Sequence, residues 1–297
     1  MTLNKMKKII FTSLIVISIT TLSTAQRYEH DAGSLNKLEV YNMYGNLEFK
    51  HSGLPKIEIE LLRKGTIPKE FVGLEFTDER KENTYSNIGI NVKVKGRTIT
   101  VRPTGIQSKF NDYRIWVPQG FAVFYEGTFE EYPALRPLWE KGGIQNYIEH
   151  KMSFEGIQGE IEQNCYSCML TFRNISGPIT ANVLYGNIEA HFKNYNKDLP
   201  SSLKTFSGKL NVYLPGQINC TVRFKSFSGM VNSEFDLTNA TFYYQGMPVG
   251  DGTIKKGQPI IKPSIKVDEI RASINDGGGH LELRTVSGSV NLIKQND

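Results

Sequence analysis

The stretch Phe206–Val212, with the sequence FSGKLNV, contains the pattern that decides the fold of this chain. A Ser-Gly pair is followed two residues later by an apolar side chain, and polar and apolar residues then alternate. Alternation with a period of two is typical of a β-strand that has one buried and one solvated face. The pattern therefore predicts a short strand that begins just after a glycine corner.

The same pattern recurs along the chain, and each of six glycines has an apolar residue two positions later. The step is 22 residues from Gly186 to Gly208 and 21 residues from Gly208 to Gly229. One such unit cannot bury its own apolar face, so repeats of this kind indicate stacking. The sequence predicts an all-β fold, a β-solenoid (β-helix-like) of stacked short strands with rungs of about 21–22 residues. Its predicted structural corners are Gly45, Gly177, Gly186, Gly208, Gly229 and Gly288.

In this interpretation Leu210 and Val212 point into a shared interior, whereas Lys209 and Asn211 face water. An antiparallel sandwich whose turns use Ser-Gly is the alternative. The step of 59 residues from Gly229 to Gly288 interrupts the rhythm, and this segment includes a Gly- and Pro-rich stretch, 245–263, that predicts a projecting loop or hairpin.

Upstream of the repeat, alternating stretches predict further strands at 38–41, 47–49, 57–61, 90–94, 98–101 and 113–117. Helical signal is confined to Glu130–Lys151, where Pro133, Pro137 and a Gly-Gly pair would keep any helix short. We expect a single β-repeat domain over 26–297. It comprises N-terminal strands (26–129), a short helical or irregular excursion (130–151) and Ser-Gly rungs (152–297) interrupted by the loop 245–263.

Residues 1–25 have the pattern of a secretory signal peptide. Three lysines precede an apolar run, and small residues then predict cleavage between Ala25 and Gln26. The alternative is a membrane anchor, but the run of about 14 residues is shorter than the ~20 that span a bilayer. No later segment has the pattern of a transmembrane helix. The predicted location is extracytoplasmic: periplasmic, associated with the outer surface, or secreted.

The charge balance argues against a nucleic-acid partner. The 297 residues include 35 Lys and Arg and 30 Asp and Glu, a net charge of +5. Three of those positive charges lie in the signal segment, so the mature chain is close to neutral. A neutral chain lacks the electrostatic surface that binds nucleic acid or anionic lipid.

The chain has three cysteines, and Cys165 and Cys168 have C-x-x-C spacing. A redox dithiol and half of a zinc site are the functional alternatives. A zinc site needs more ligands, and no second C-x-x-C or closely spaced Cys/His pair is present. We therefore expect buried thiols or a structural disulfide between Cys165 and Cys168, with Cys220 left over.

These motifs resemble the bacterial putative-adhesin β-strand-repeat family, a domain of unknown function in exported and cell-envelope proteins of the Bacteroidetes type. The resemblance rests on the strand 116–120, which ends in Val-Pro-Gln-Gly, and on the Ser-Gly rungs at 205–208, 226–229 and 285–288. It implies a solenoid-like β fold and an extracytoplasmic location. It implies no catalytic residues.

The sequence offers no candidate catalytic, cofactor-binding or metal-binding residues. The five histidines are scattered without metal-ligand spacing. A polysaccharide-cleaving solenoid would need clustered carboxylates, but a solvated strand face also carries such residues. The nearest candidates are Glu234 and Asp236, and Asp268, Glu269 and Asp276 with Arg271.

We therefore expect an exported, non-enzymatic protein, an adhesin-like or envelope-scaffold binding module without a cofactor. Its expected partner is an envelope or surface protein or a glycan. The alternatives are a partner in envelope-stress signalling and a polysaccharide lyase or hydrolase. Aromatic residues in or near the two excursions are candidate anchors, but we expect them rather to cap the open end of the solenoid or to cover its side: Tyr132, Trp139, Tyr147, Tyr243 and Tyr244.

Overall fold

The computed structural model describes residues 26–69, 84–127, 150–195, 198–226, 228–258 and 267–295. The predicted signal peptide, most of the excursion at 130–151 and the end of the loop at 245–263 lie outside these ranges. Within them the chain forms strands almost throughout, with one short helix, α1 (Ile106–Lys109). The all-β prediction is confirmed.

The strands are short, apart from the 15-residue β11. In chain order they are β1 (Arg27–Asp31), β2 (Lys37–Tyr41), β3 (Leu47–Ser52), β4 (Lys56–Arg63), β5 (Thr84–Tyr85), β6 (Ile90–Lys95), β7 (Thr98–Pro103), β8 (Asp112–Pro118), β9 (Ala122–Gly127), β10 (His150–Glu155), β11 (Ile161–Ile175), β12 (Ile179–Tyr185), β13 (Ile188–Phe192), β14 (Ser201–Ser207), β15 (Leu210–Leu214), β16 (Cys220–Ser226), β17 (Met230–Ser233), β18 (Leu237–Tyr244), β19 (Met247–Ile254), β20 (Glu269–Ile274), β21 (Gly279–Ser287) and β22 (Ser289–Lys294).

These strands form two open sheets. Sheet A has the order β1-β4-β8-β3-β10-β11-β13-β15-β22-β17. Sheet B has the order β5-β6-β7-β2-β9-β11-β12-β14-β21-β16-β20-β18-β19. Antiparallel pairs are confined to β1-β4-β8 in sheet A, and to β5-β6-β7 and β16-β20-β18-β19 in sheet B. Every other pairing is parallel.

The parallel strands come in consecutive pairs, in which the first strand lies in sheet B and the second in sheet A. We call each such pair a level. The pairs β2–β3, β12–β13, β14–β15, β16–β17 and β21–β22 are of this kind, and β11 spans both sheets by itself. Because the strands of the Ser-Gly repeat pair in parallel, the antiparallel sandwich is wrong for this part of the chain.

The order of stacking differs from the order along the chain. The register offset is 22 residues between β12 and β14 but 18 between β11 and β12. The pair β21–β22 lies between β14–β15 and β16–β17, so Gly208 and Gly229 do not occupy adjacent levels. The 21-residue step from Gly208 to Gly229 is thus not a stacking interval, and the expected uniform rung is not seen here.

One continuous apolar core lies between the sheets. Alternate residues of the strands are buried, and those of both sheets belong to the same cluster. Leu210 and Val212 are fully buried as expected, and Asn211 between them is partly exposed. The rings of Phe49, Phe154 and Phe172 stack through the core of sheet A, with centroid separations of 4.6 and 5.0 Å.

Several of the predicted corners lie where the chain passes from sheet B to sheet A. Gly208 has a φ of +150°, and a Cβ there would overlap the carbonyl oxygen of Gly186 on the adjacent level. Gly229 has no positive φ, but its Cβ would overlap the carbonyl oxygen of Gly288. Close approach of the backbones therefore requires glycine at both positions, and backbone conformation adds to that requirement only at Gly208.

The described part of the loop at 245–263 is a β-hairpin. Strands β18 and β19 pair across Gln245 and Gly246, whose φ values of +49° and +79° are both positive, as a tight hairpin turn requires. The helix expected within Glu130–Lys151 lies largely outside the described residues, although His150 and Lys151 begin strand β10. In the part of the chain that the structure describes, no helix has the length and apolar character needed to cross a membrane.

Candidate functional site

The Cys-x-x-Cys pair lies in the middle of β11, at the point where this strand passes from sheet B to sheet A. Cys165 pairs with β9 and β12 in sheet B, and Leu170 pairs with β13 in sheet A. The pair therefore occupies the corner that Gly186 occupies on the next level. The Cα atoms of Cys165 and Cys168 are 6.3 Å apart, and their sulfur atoms are in disulfide contact.

The parallel pairing of β10 with β11 brings a histidine to these cysteines. His150 lies opposite Cys168 in the register, and its Nε2 is 3.7 Å from the Sγ of Cys165. A ring nitrogen of His150 and the two sulfur atoms all lie within 4.8 Å of one another. Cys165, Cys168 and His150 are 4%, 1% and 3% exposed, so the cluster is closed to bulk water.

Burial lowers the pKa of His150 to about 4, so the imidazole is neutral at pH 7. The hydroxyl of Tyr125 donates to the carbonyl of Met43 at 2.7 Å, and its oxygen lies 3.3 Å from Nε2 of His150. Nε2 of His150 therefore faces both the hydroxyl oxygen of Tyr125 and the Sγ of Cys165. The other ring nitrogen, Nδ1, has no hydrogen-bond partner.

A second buried polar group borders the pair. Gln163 is fully buried; its Nε2 lies 3.6 Å from the Sγ of Cys168, and its Oε1 has no hydrogen-bond partner. Each buried polar atom without a partner costs about 1–3 kcal/mol. Two of the four such side-chain atoms in the described residues thus belong to the two side chains whose Nε2 atoms contact these sulfurs.

A neutral imidazole next to two thiols has a defined chemistry. Oxidised, the sulfurs form a disulfide; reduced and deprotonated, they and the imidazole are ligands of Zn(II) and Cu(I). Sequence reasoning found the cysteines but not His150. Its 15-residue separation from Cys165 has no motif spacing, and only the β10–β11 register connects them.

Four of the five predicted acids are held in structural interactions. Burial alone would raise the pKa of Glu269, but hydrogen bonds from Arg223, Arg271 and Lys225 outweigh it and hold that pKa at about 2. The N–O distances to these three cations are 2.8, 2.5 and 3.1 Å. A carboxylate held in this way is a poor general acid or base near neutral pH.

Three of the other four predicted acids accept backbone N–H groups. Asp268 accepts from Gln245 at 2.9 Å and so fixes the hairpin turn. Glu234 accepts from Lys294 at 2.8 Å, and Asp236 accepts from Lys256 at 2.9 Å. A cleft next to α1 shows no carboxylate among the described residues that line it.

The outer faces of the sheets present repeated polar side chains. In sheet A, Asn232 donates to Asn291 at 2.8 Å, and Asn291 donates to Asn211 at 2.7 Å. On the same face the rings of His191 and Tyr213 stack with centroids 4.0 Å apart. Side chains on adjacent levels thus bond to or stack on one another and form ladders along this outer face.

An apolar row follows the edge where sheet B passes into sheet A, and we call it the aromatic edge. It consists of Tyr166, Leu184, Tyr185 and Phe206, at the corner of β11 and the ends of β12 and β14. Tyr185 lies between the other two rings, with centroid separations of 5.4 and 6.2 Å. Leu184 is 37% exposed and Phe206 is 46% exposed.

The aromatic residues proposed as anchors from the sequence lie elsewhere. The ring of Tyr243 is covered by the guanidinium of Arg271 at 4.5 Å, and Tyr244 precedes the hairpin turn. Tyr132, Trp139 and Tyr147 lie outside the described residues. The sequence did not reveal the aromatic edge because Tyr166, Tyr185 and Phe206 are about 20 residues apart in the chain. Only the stacking of the strands brings their rings together.

Comparison with known proteins gives one distant structural similarity. No family model and no curated protein matches this chain. Its fold is similar to a solved structure described as a putative cell adhesion protein from Clostridium sporogenes. The identity is 13% and the TM-score is 0.39, over 92% of this chain and 100% of the other. This similarity assigns no family, so membership of the β-strand-repeat family remains a prediction.

Proposed function

We propose that this chain is an exported, non-catalytic β-repeat protein, an adhesin-like or scaffold module that binds an envelope or surface partner. In this proposal the paired strands form a β-solenoid whose mature chain begins at Gln26 and remains extracytoplasmic. The parallel B-to-A strand pairs support the solenoid. They leave two long outer faces and one edge available to a partner.

The aromatic edge is the observation that carries the proposal. Exposed aromatic side chains supply much of the binding energy at recognition surfaces, because they bury a large apolar area at little entropic cost. Phe206 and Leu184 face solvent on adjacent levels and do not belong to the apolar core. A row at a spacing of one strand suits an extended partner, such as a glycan chain or a surface polypeptide.

The interactions of the predicted carboxylates support the proposal that the protein is not an enzyme. Glycoside cleavage requires two carboxylates flanking one bond, with one of them protonated near neutral pH. Glu269 is ion-paired to three cations, and Glu234, Asp236 and Asp268 hold backbone N–H groups. Each of these four carboxylates therefore already has a structural role.

The experiment measures retention of the purified protein on isolated bacterial cell envelopes. We expect the double substitution Leu184→Asp with Phe206→Asp to lower retention at least tenfold, because it places two charges in the apolar row. Leu54→Asp is the matched control, since Leu54 is an exposed apolar residue (54%) distant in the chain from the edge. Its retention should equal that of the parent.

Equal retention of the double variant and the parent would contradict the proposed binding edge. Release of sugar products from an envelope polysaccharide, abolished by Glu234→Gln or Asp268→Asn, would instead establish an enzyme. Both double-variant substitutions are at exposed positions, so unfolding curves should coincide with those of the parent.

A further inference from the structure

The cluster formed by His150, Cys165 and Cys168 has features that a purely structural disulfide does not need. Disulfides in protein interiors pack well against apolar side chains. Here Nε2 of His150 lies 3.7 Å from Sγ of Cys165, and Nε2 of Gln163 lies 3.6 Å from Sγ of Cys168. The second polar atom of each side chain, Nδ1 of His150 and Oε1 of Gln163, has no partner. Buried polar atoms without partners are rare in folded proteins, and they point to a group that satisfies them in another state.

The donor set has the composition of a metal site for a thiophilic ion. Two sulfurs three residues apart and one imidazole converge from adjacent strands, all within 4.8 Å. Thiolate and imidazole ligands favour Zn(II) and Cu(I) over the hard cations Mg(II) and Ca(II), which prefer oxygen. Among the described residues this is the one group of three or more such side chains close enough to share an ion.

We propose that reduced Cys165 and Cys168, together with His150, bind a single d10 cation, Zn(II) or Cu(I), in the corner of β11. Each thiol releases its proton to solvent as the sulfur–metal bond forms, and the neutral imidazole, with its proton on Nδ1, donates the lone pair of Nε2 to the ion. The oxidised pair has no thiolate to offer, so the disulfide form does not bind the ion. Occupancy of this site therefore depends on reduction of the pair by an external dithiol or phosphine.

The two ions place different demands on the cluster. Cu(I) is satisfied by two thiolates and one imidazole in a three-coordinate arrangement. Zn(II) takes four ligands, and rotation of the Gln163 amide, whose Nε2 lies 3.6 Å from Sγ of Cys168, would present its unpartnered oxygen as the fourth. Substitution of Gln163 therefore distinguishes the two ions, whereas substitution of a cysteine abolishes binding of both.

The primary test uses the full protein reduced with a phosphine and, in parallel, oxidised with a disulfide reagent. Each form is equilibrated with Zn(II) or with Cu(I), desalted and analysed for metal by mass spectrometry. We expect about one ion per reduced chain and less than a tenth as much in the oxidised chain. The reduced chain with Co(II) should show the absorption bands of cobalt–thiolate coordination.

Variants locate the site. Cys165→Ser and Cys168→Ser should each lose the cobalt–thiolate spectrum of the parent, and His150→Gln should weaken binding at least tenfold. Gln163→Leu should weaken Zn(II) binding and leave Cu(I) binding unchanged. Cys220→Ser is the matched control, because Cys220 is also buried but lies on β16, and it should bind as the parent does.

A measurement on the unmodified chain covers the case in which a variant fails to fold. Bound metal should protect Cys165 and Cys168, but not Cys220, from alkylation as the chain is gradually unfolded. Absence of binding by the reduced parent would overturn the proposal. So would equal protection of all three cysteines, or undiminished binding by a folded His150→Gln variant.

Discussion

Substitution of Gly208 by alanine should destabilise the fold by about 3 kcal/mol. Two effects add at this position. Its φ of +150° lies in a region that side-chain-bearing residues avoid, which costs about 1–3 kcal/mol. The new Cβ also overlaps the carbonyl oxygen of Gly186, and such overpacking costs about 1–3 kcal/mol because the levels must separate locally.

Three other glycines separate these two effects. Gly229→Ala introduces the overlap without a positive φ, and Gly96→Ala introduces a positive φ of +59° in open space. Gly250→Ala introduces neither effect. We therefore expect a loss of about 2 kcal/mol for Gly229→Ala and about 1 kcal/mol for Gly96→Ala. For Gly250→Ala we expect a change within about 0.5 kcal/mol.

Urea titration followed by circular dichroism measures these differences as shifts of the unfolding midpoint. In a thermal scan, about 3 kcal/mol corresponds to a decrease in Tm of about 6–12 °C for a chain of this size. A Gly208→Ala variant as stable as Gly250→Ala would refute the argument that the levels approach too closely for a side chain. Equal losses at Gly208 and Gly96 would attribute the effect to backbone conformation alone.

Two further predictions concern charge and packing. Glu269→Gln should lower the urea midpoint at pH 7, because it leaves three cations without their carboxylate. Since the folded-state pKa of Glu269 is about 2, the stabilisation by its carboxylate is complete above about pH 4.5. It is lost as the pH falls towards 2, where the midpoints of variant and parent should converge. A difference that persists at pH 2 would mean that packing, not charge, is responsible. Phe154→Ala removes the middle ring of the buried stack and should lower the free energy of unfolding in urea by about 3–5 kcal/mol. Phe206→Ala at the exposed edge should change that free energy by less than about 0.5 kcal/mol. Similar losses for both variants would argue that Phe206 is part of the core.

The alternation of residues along each strand made the local structure predictable. Strands β2, β3, β4, β6, β7 and β8 lie where the sequence placed them, because period-two burial is a property of a few adjacent residues. The inward direction of Leu210 and Val212 follows from the same property. The short helix α1 was not anticipated, since four residues carry too little periodic signal.

The order of the levels could not be read from the sequence. Every Ser-Gly strand has the same pattern, so no feature of the local sequence indicates that β22 lies beside β15 rather than beyond β17. The same limit concealed the His150 cluster and the aromatic edge. Both depend on which strand is the neighbour of which, and that choice is made by the packing of the whole core.

The insertion of β21 and β22 between β14–β15 and β16–β17 has a consequence for biogenesis. A growing or emerging chain can close the stack in order only as far as β15. Strand β17 then lacks its partner β22, and β16 has only its antiparallel partner β20, until residues 279–294 arrive and enter between the two levels. Loss of residues 279–294 would therefore remove an inner layer and leave two separated pieces, whereas trimming an ordinary repeat array from one end merely shortens it.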